Sequence, residues 1–551
     1  MRIMKRRVFV LGIDGGTFDI LLPLAERGHM PNLARVLKHG SRSNLTSTFS
    51  FLTAPAWTSF MTGKNPGKHD VFDFVRPYRK ELAVEFNNYR SIRSRTIWNI
   101  LSEKDFRVCA INVPMMYPAP EVNGMVISGL GAPGLVEKSF FPRDLYSSLE
   151  RELGQYMIDV PLEKYGPRDV DSFLEDLLEC TRIRKKYINN LLDRDEWDLF
   201  MAVLAGADRI QHKLWTMLTD LLSGGTNGDD TSSRILGYFK ILDEIIGDLD
   251  RRLGENDILI LMSDHGFGSM DHELTINRWL NEHGYFTPSR GRLLLKRAMS
   301  AIRELQRRSL ARFSPKALER KTRDTIKRTE TARKPRMDFI NWSKTRAFSS
   351  TRTQQGITIN LKGREPFGIV EPGEEYETLR DEIISSLRDL KDPVSGEKMN
   401  NLVHRREEVY FGPYIENAPD IVYLFDGGRI IATHQFKNEL FTPTDWKTGD
   451  GMHRREGIFL AKGRMVVEDQ QMKANSITDV APTILYHLGV EIPDDFDGSV
   501  IDGIYKREFL SKHEITFEEA RVHIENGEDS VYTEKDKKAI EDQLRGIGYM
   551  E

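Results

Sequence analysis

The chain has 551 residues, of which 29% are charged and 39% hydrophobic, and it carries a formal net charge of -4. That balance fits a globular protein with a large core and gives no basis for binding nucleic acid. Two cysteines, Cys109 and Cys180, exclude a disulfide framework.

The opening M-R-I-M-K-R-R has the basic character of a secretory leader, but the apolar run behind it is short and leads straight into an acid. Residues 7–13 therefore read as a buried first strand ending at Asp14, between glycines. An acid at the carboxyl end of a strand sits where open α/β sheets bind their ligands, and Gly12, Gly15 and Gly16 are expected to let backbone approach that ligand. No apolar run reaches the roughly 20 residues that span a bilayer, so a cytoplasmic location is expected.

Residues 31–40 predict a helix ending at Gly40. In T-S-T-F-S-F-L-T-A-P-A-W-T-S-F-M-T-G the residue before Pro55 is biased away from helical angles, which puts a boundary at Ala54 and Thr53 just ahead of a helix N-terminus. A hydroxyl there faces free N–H groups and the positive end of a dipole, an arrangement that suits an anion. A helix near 96–104, strands at 106–113 and 124–129 and a helix from about 168 to 193 follow. Strand 197–204 leads into A-G-A-D-R-I-Q-H, whose D-x-x-x-H spacing sets Asp208 and His212 on one face if the segment is helical. Helix 234–249 precedes strand 257–263, which runs into Asp264 and His265.

The character changes over 286–337. Residues 290–336 hold seventeen Lys or Arg against four acids, and R-L-L-L-K-R-A-M-S-A-I-R-E-L-Q-R-R reads as a basic amphipathic helix inserted into the main domain. Such an insert is a candidate for peripheral contact with an anionic surface. The alternation of strand and helix then resumes with strands at 345–350 and 356–361, a helix at 376–387 and a strand at 418–425. His453 follows the loop T-G-D-G-M-H, residues 478–489 predict a late core helix, and 506–551 reads as a polar helical tail behind a domain of residues 1–505. The fold class expected is α/β, a doubly wound and mainly parallel sheet flanked by helices, with the basic insert added.

Asp14, Asp208, His212, Asp264, His265 and His453 all follow apolar runs or turn-rich loops, and carboxylate and imidazole gathered in this way is what a divalent metal site requires. An aspartate at a strand end is by itself more often a turn former. The ordered set D, T-x-P, D-x-x-x-H, D-H-G, H is what carries meaning. It resembles the alkaline phosphatase superfamily and, within it, the type I phosphodiesterase/nucleotide pyrophosphatase family. The resemblance implies that Asp14, Thr53, Asp264 and His265 surround one metal while Asp208, His212 and His453 hold another. It also implies Thr53 as the nucleophile, a phosphothreonine intermediate, and a small phosphodiester or pyrophosphate as substrate. Zinc suits the mixed ligand set best, with manganese next.

The chain departs from the pattern in one respect. Members of the eukaryotic type carry an Asn after the nucleophile helix, whereas K-H-D-V-F-D-F offers Asp73. Sulfatases of the same fold need a convertible Cys or Ser, which T-A-P-A-W lacks, and a threonine nucleophile favours a hydrolase over a mutase. A phosphomonoesterase or phosphotransferase is the alternative within the superfamily. From another class, a non-catalytic anion-binding or membrane-binding protein would have little use for the full ligand set. The remaining histidines, His69 and His272 among them, read as structural.

Overall fold

A computed structural model describes residues 6–76, 85–166, 169–224, 230–289, 339–444, 450–521 and 531–550. Three apolar runs, Val8–Ile13, Leu199–Leu204 and Ile258–Met262, are buried along their whole length. Strands with no polar face need cover on both sides, and parallel sheets flanked by helices provide it. Val8–Ile13 is the central one, paired in parallel with Leu199–Leu204 on one side and with Ile258–Met262 on the other. Beyond Leu199–Leu204 the sheet continues through Val108–Val113 and Gly124–Ser128 to the antiparallel edge Phe140–Phe141.

On the other side Ile258–Met262 pairs antiparallel with Glu456–Gly463, which pairs antiparallel with Gly40–Thr46. Two short strands, Gln470–Gln471 and Asn475–Ser476, finish that edge. The sheet is thus mainly parallel and flanked by helices, as expected. Sequence reading missed Gly40–Thr46 because G-S-R-S-N-L-T offers small and polar residues in place of an apolar alternation. Its first residue begins the strand directly after helix Pro31–Lys38, and a Cβ on Gly40 would lie 2.4 Å from Ala461 O, so two backbones touch there.

The region 345–425 does not extend the parallel alternation. Ala347–Phe348, Gly356–Ile359, Ile421–Leu424 and Leu402–Arg405 form a separate four-stranded sheet in which every pairing is antiparallel. The link from Phe348 to Gly356 holds no crossover helix, and strands joined by a short link pair antiparallel. Helix Glu374–Arg388 closes this sheet with its own apolar cluster, which includes Leu379, Ile383 and Ile357. A three-stranded sheet, Ile430–Thr433, His272–Thr275 and Phe441–Pro443, adjoins it. Of the basic insert expected over 286–337, residues 290–337 lie outside the described residues, and with them the whole of the expected amphipathic helix. None of the described helices is long and apolar enough to cross a membrane.

The glycines near Asp14 make close contacts within the protein. A Cβ on Gly12 would lie 2.5 Å from the Trp57 ring and 2.9 Å from Val203, so the ring fills the notch over the central strand. Replacing Gly12 by Ala overpacks this contact and is expected to lower stability by about 1–3 kcal/mol. Urea unfolding followed by tryptophan fluorescence checks this, and an unchanged midpoint would mean that Trp57 yields freely.

Candidate active site and metal centre

Three neighbouring strands deliver the first ligands from their carboxyl ends. Asp14 follows Val8–Ile13 and is pinned by its own N–H to Leu204 O at 3.0 Å. Asp208 lies in the first turn of helix Gly206–Leu222, which starts directly after Leu199–Leu204, and His212 is one turn further on the same helix. Asp264 and His265 follow Ile258–Met262. His453 arrives on the short strand Gly451–Arg454, paired antiparallel with Gly266–Ser269. Thr53 opens helix Thr53–Thr62, with Leu52 as its cap.

The helix starts one residue earlier than Pro55 predicts. Pro55 falls in the first turn, where a missing N–H costs nothing, so Ala54 is helical despite preceding it.

The imidazole tautomers are set from behind. Backbone carbonyls face each Nδ1: Gly266 O at 3.1 Å from His265, Phe51 O at 3.0 Å from His453 and Gly451 O at 3.3 Å from His212. An Nδ1–H donated to a carbonyl leaves Nε2 as a bare lone pair, the usual arrangement of a metal-binding histidine. Those lone pairs converge. His212 Nε2 lies 2.9 Å from His453 Nε2, and Asp208 Oδ1 lies 3.4 Å from the first and 3.2 Å from the second. In the neighbouring group His265 Nε2 lies 3.3 Å from Asp264 Oδ2 and 3.7 Å from Asp14 Oδ1.

Asp208, His212 and His453 form one triad and Asp14, Asp264 and His265 the other, the ligand atoms of each lying within 4.8 Å of one another. Asp14 Oδ1, Asp208 Oδ1, Asp264 Oδ2 and His265 Nε2 are buried and have no hydrogen-bond partner.

Charge is short on one side. Burial, with Asp264 and Asp208 nearby, pushes the Asp14 carboxyl well above its usual range. Burial and Asp208 push Asp264 up to about 8. Burial opposes ionisation of Asp208 too, but His212, Arg209 and His453 outweigh it and hold Asp208 below the usual range. Burial pulls His212 down to about 3, and burial with His453 beside it pulls His265 well below its usual value. Groups arranged in this way lack a positive charge among them.

Four contributors escaped the sequence reading. Arg209, buried next to Asp208, donates to the Asp208 Oδ2 carboxylate oxygen and to Asp159 Oδ2 at 3.0 and 2.5 Å. Its adjacency in A-D-R-I-Q-H was the available signal for Arg209; Asp159 left none. Trp57 Nε1 donates to Asp14 Oδ2 at 3.3 Å, and the T-A-P-A-W stretch carries that residue in plain view. Tyr549, from the C-terminal end of the chain, has its hydroxyl 2.8 Å from Thr53 Oγ1 and 3.3 Å from His453 Nε2. No local pattern marks it.

His69 is a structural histidine. Its Nδ1 accepts from Val71 N at 3.2 Å, so its Nε2 donates to Ser59 Oγ at 2.9 Å. His272 opens a strand of the three-stranded sheet.

No curated protein matches the chain in sequence. Among solved structures, an inactive variant of murine ectonucleotide pyrophosphatase/phosphodiesterase 5 in complex with AMP superposes with a TM-score of 0.47 at 14% identity, over 88% of this chain and 96% of that one. Phosphonoacetate hydrolase from Sinorhizobium meliloti 1021, in complex with phosphonoformate, gives a TM-score of 0.52 at 12% identity, over 88% of this chain and 95% of that one. At that identity the second likeness bears on the fold alone. The profile of the type I phosphodiesterase/nucleotide pyrophosphatase family matches residues 8–453. Matching from its central strand to His453, and so over most of its length, the chain belongs to the type I phosphodiesterase/nucleotide pyrophosphatase family.

Proposed function

We propose that the chain hydrolyses phosphodiester or pyrophosphate bonds with Thr53 as nucleophile and two divalent cations, zinc or manganese, held by the two triads. The observation that carries this reading is the set of four buried ligand atoms without a hydrogen-bond partner. An orphaned buried polar atom costs about 1–3 kcal/mol, more when charged, and native folds tolerate few of them. Cations would satisfy all four together, and the bare Nε2 atoms of His212 and His453 as well.

On this reading Asp14, Asp264 and His265 hold one ion, with the Thr53 hydroxyl as the further ligand that the family resemblance implies, and Asp208, His212 and His453 hold the other. When bound, the two ions favour the Thr53 alkoxide and offset charge on the attacking and leaving oxygens. Thr53 Oγ1 attacks phosphorus as the bond to the leaving oxygen breaks, and the Thr53 proton ends on the departing oxygen, giving a phosphothreonine. Water then attacks the same phosphorus as the Oγ1–phosphorus bond breaks, leaving its hydroxyl on the phosphate product and giving its other proton to Oγ1. The N-terminus of helix Thr53–Thr62 adds favourable dipole at the phosphoryl oxygens. Arg209 stays engaged with Asp208 and Asp159 and fixes the first of these against the pull of a neighbouring cation.

Metal analysis of the purified chain is expected to find two divalent ions. Asp208→Ala or His453→Ala should remove one of them and reduce turnover of a chromogenic phosphodiester by more than the about 10–100-fold that loss of an outer partner costs. Full activity in a metal-free preparation would overturn the reading. Thr53→Ala is expected to stay folded, metal-loaded and nearly inactive, while Thr53→Ser keeps measurable turnover because its hydroxyl can still attack. If Thr53→Ala matches the parent, water attacks phosphorus directly and no phosphothreonine forms.

A further inference from the structure

The C-terminal segment is built into the site. Tyr532 stacks on Tyr117 at 5.4 Å and donates to Gly131 O at 2.9 Å. Helix Glu534–Gly546 then starts from a capping box between Thr533 and Asp536 and buries Ile540 and Leu544 in the main core. Gln543 Nε2 donates to Ala132 O at 3.2 Å. Gly548, at φ 78, turns the chain back, and Tyr549 N closes the turn on Leu544 O at 2.8 Å. The Tyr549 ring lies 5.6 Å from Phe74 and stands edge-on to His453. Residues 532–550 are thus packed on the main core, and they set a phenol 2.8 Å from the Thr53 hydroxyl.

We infer that Tyr549 is a catalytic residue of this site, donating its phenolic hydrogen bond to a phosphoryl oxygen of the substrate. The inference rests on the proposed phosphoryl chemistry at Thr53. A phosphorus atom in line for attack sits about 3 Å from Oγ1. The Tyr549 hydroxyl is itself 2.8 Å from Oγ1, so a phosphoryl oxygen on its side of Oγ1 falls within its reach. Before substrate arrives the phenol holds the Thr53 hydroxyl, and with substrate present its donor turns to the oxygen on which charge accumulates.

Asp73, the acid in K-H-D-V-F-D-F, does not compete for this role. Its carboxyl is already engaged, accepting from Thr353 Oγ1 at 2.5 Å and from Phe74 N at 2.6 Å. Tyr549 and His453 line one cleft with Leu52, Thr353 and Arg352, and of the donors there the phenol is the one shown against the Thr53 hydroxyl.

The test compares the parent full-length chain, loaded with zinc, with its Tyr549→Phe variant, which keeps the ring packing and removes only the donor. Two measurements are made, the affinity for inorganic phosphate by calorimetry and the turnover of a chromogenic phosphodiester, with metal content and Tm as controls. Phosphate binding in the variant is expected to weaken by about tenfold or more, with metal content and Tm unchanged, and kcat is expected to fall while KM moves little. Equal phosphate affinity in the two proteins, tighter binding in the variant, or no phosphate binding by the parent would each overturn the inference; tighter binding would show the tail to be an obstruction. A parent that binds phosphate but does not turn over the diester would count against the proposed hydrolysis while leaving the role of Tyr549 supported by the affinity difference.

Discussion

Three carboxylates and three imidazoles meet in the buried end of the central sheet, and nearly everything around them answers to that crowding. Taking an ionised carboxylate out of water costs several kcal/mol even after relaxation, and like charges side by side add to it. The buried cation beside them is Arg209, and it is shared between Asp208 and Asp159. Asp14 and Asp264 are left with their ionisation suppressed, and both have an oxygen that accepts no hydrogen bond. Such an arrangement is satisfied by positive charge, which the proposed cations would supply. This is the form taken by stability given up at a functional site.

The topology explains how residues more than four hundred positions apart are brought together without long loops. Asp14, Asp208 and Asp264 come from three adjacent strands whose carboxyl ends lie side by side in register, Ile13 opposite Leu204 and Gly12 opposite Met262. The remaining side requires a return path, and the antiparallel strand Glu456–Gly463 provides it. Its partner strand Gly40–Thr46 leads on to Thr53, while His453 lies just ahead of its start. Close approach makes this possible. A Cβ on Gly266 would lie 2.0 Å from Glu456 O and one on Gly451 would lie 2.0 Å from Gln211 O, so the D-H-G and G-D-G-M-H motifs owe their glycines to backbone contact behind the ligands.

The parts of this site that the sequence made legible are those whose function and local structure share one signal. An apolar run that stops at an acid is at once a buried parallel strand and a candidate ligand at its end, so Asp14, Asp208 and Asp264 were readable together with the strands that lead to them. Thr53 and Pro55 marked a helix start to within a residue. Gly40–Thr46 was not readable, because its burial comes from neighbours and not from its own side chains. The antiparallel character of the 345–425 region was hidden for a related reason, since strand periodicity says nothing of direction and only the short links do. Arg209 and Trp57 stood in view beside motif residues, but their importance lies in the atoms they touch, which no spacing encodes.

Tyr549 is the extreme case. Its partner Thr53 is 496 positions away, and the segment that carries it holds on through Tyr532, Ile540, Leu544 and Gln543 in the main core. That separation is of the same order as the pairing of Gly40–Thr46 with Glu456–Gly463, which also joins residues more than four hundred positions apart. The two differ in what places them. The strand pair is held in register by backbone hydrogen bonds along its whole length, whereas Tyr549 is placed by the packing of Ile540 and Leu544 in the main core and by the turn that returns Tyr549 N to Leu544 O. Loosening that packing would move the phenol without disturbing the sheet, so the contact at Thr53 depends on side-chain packing that no local pattern announces.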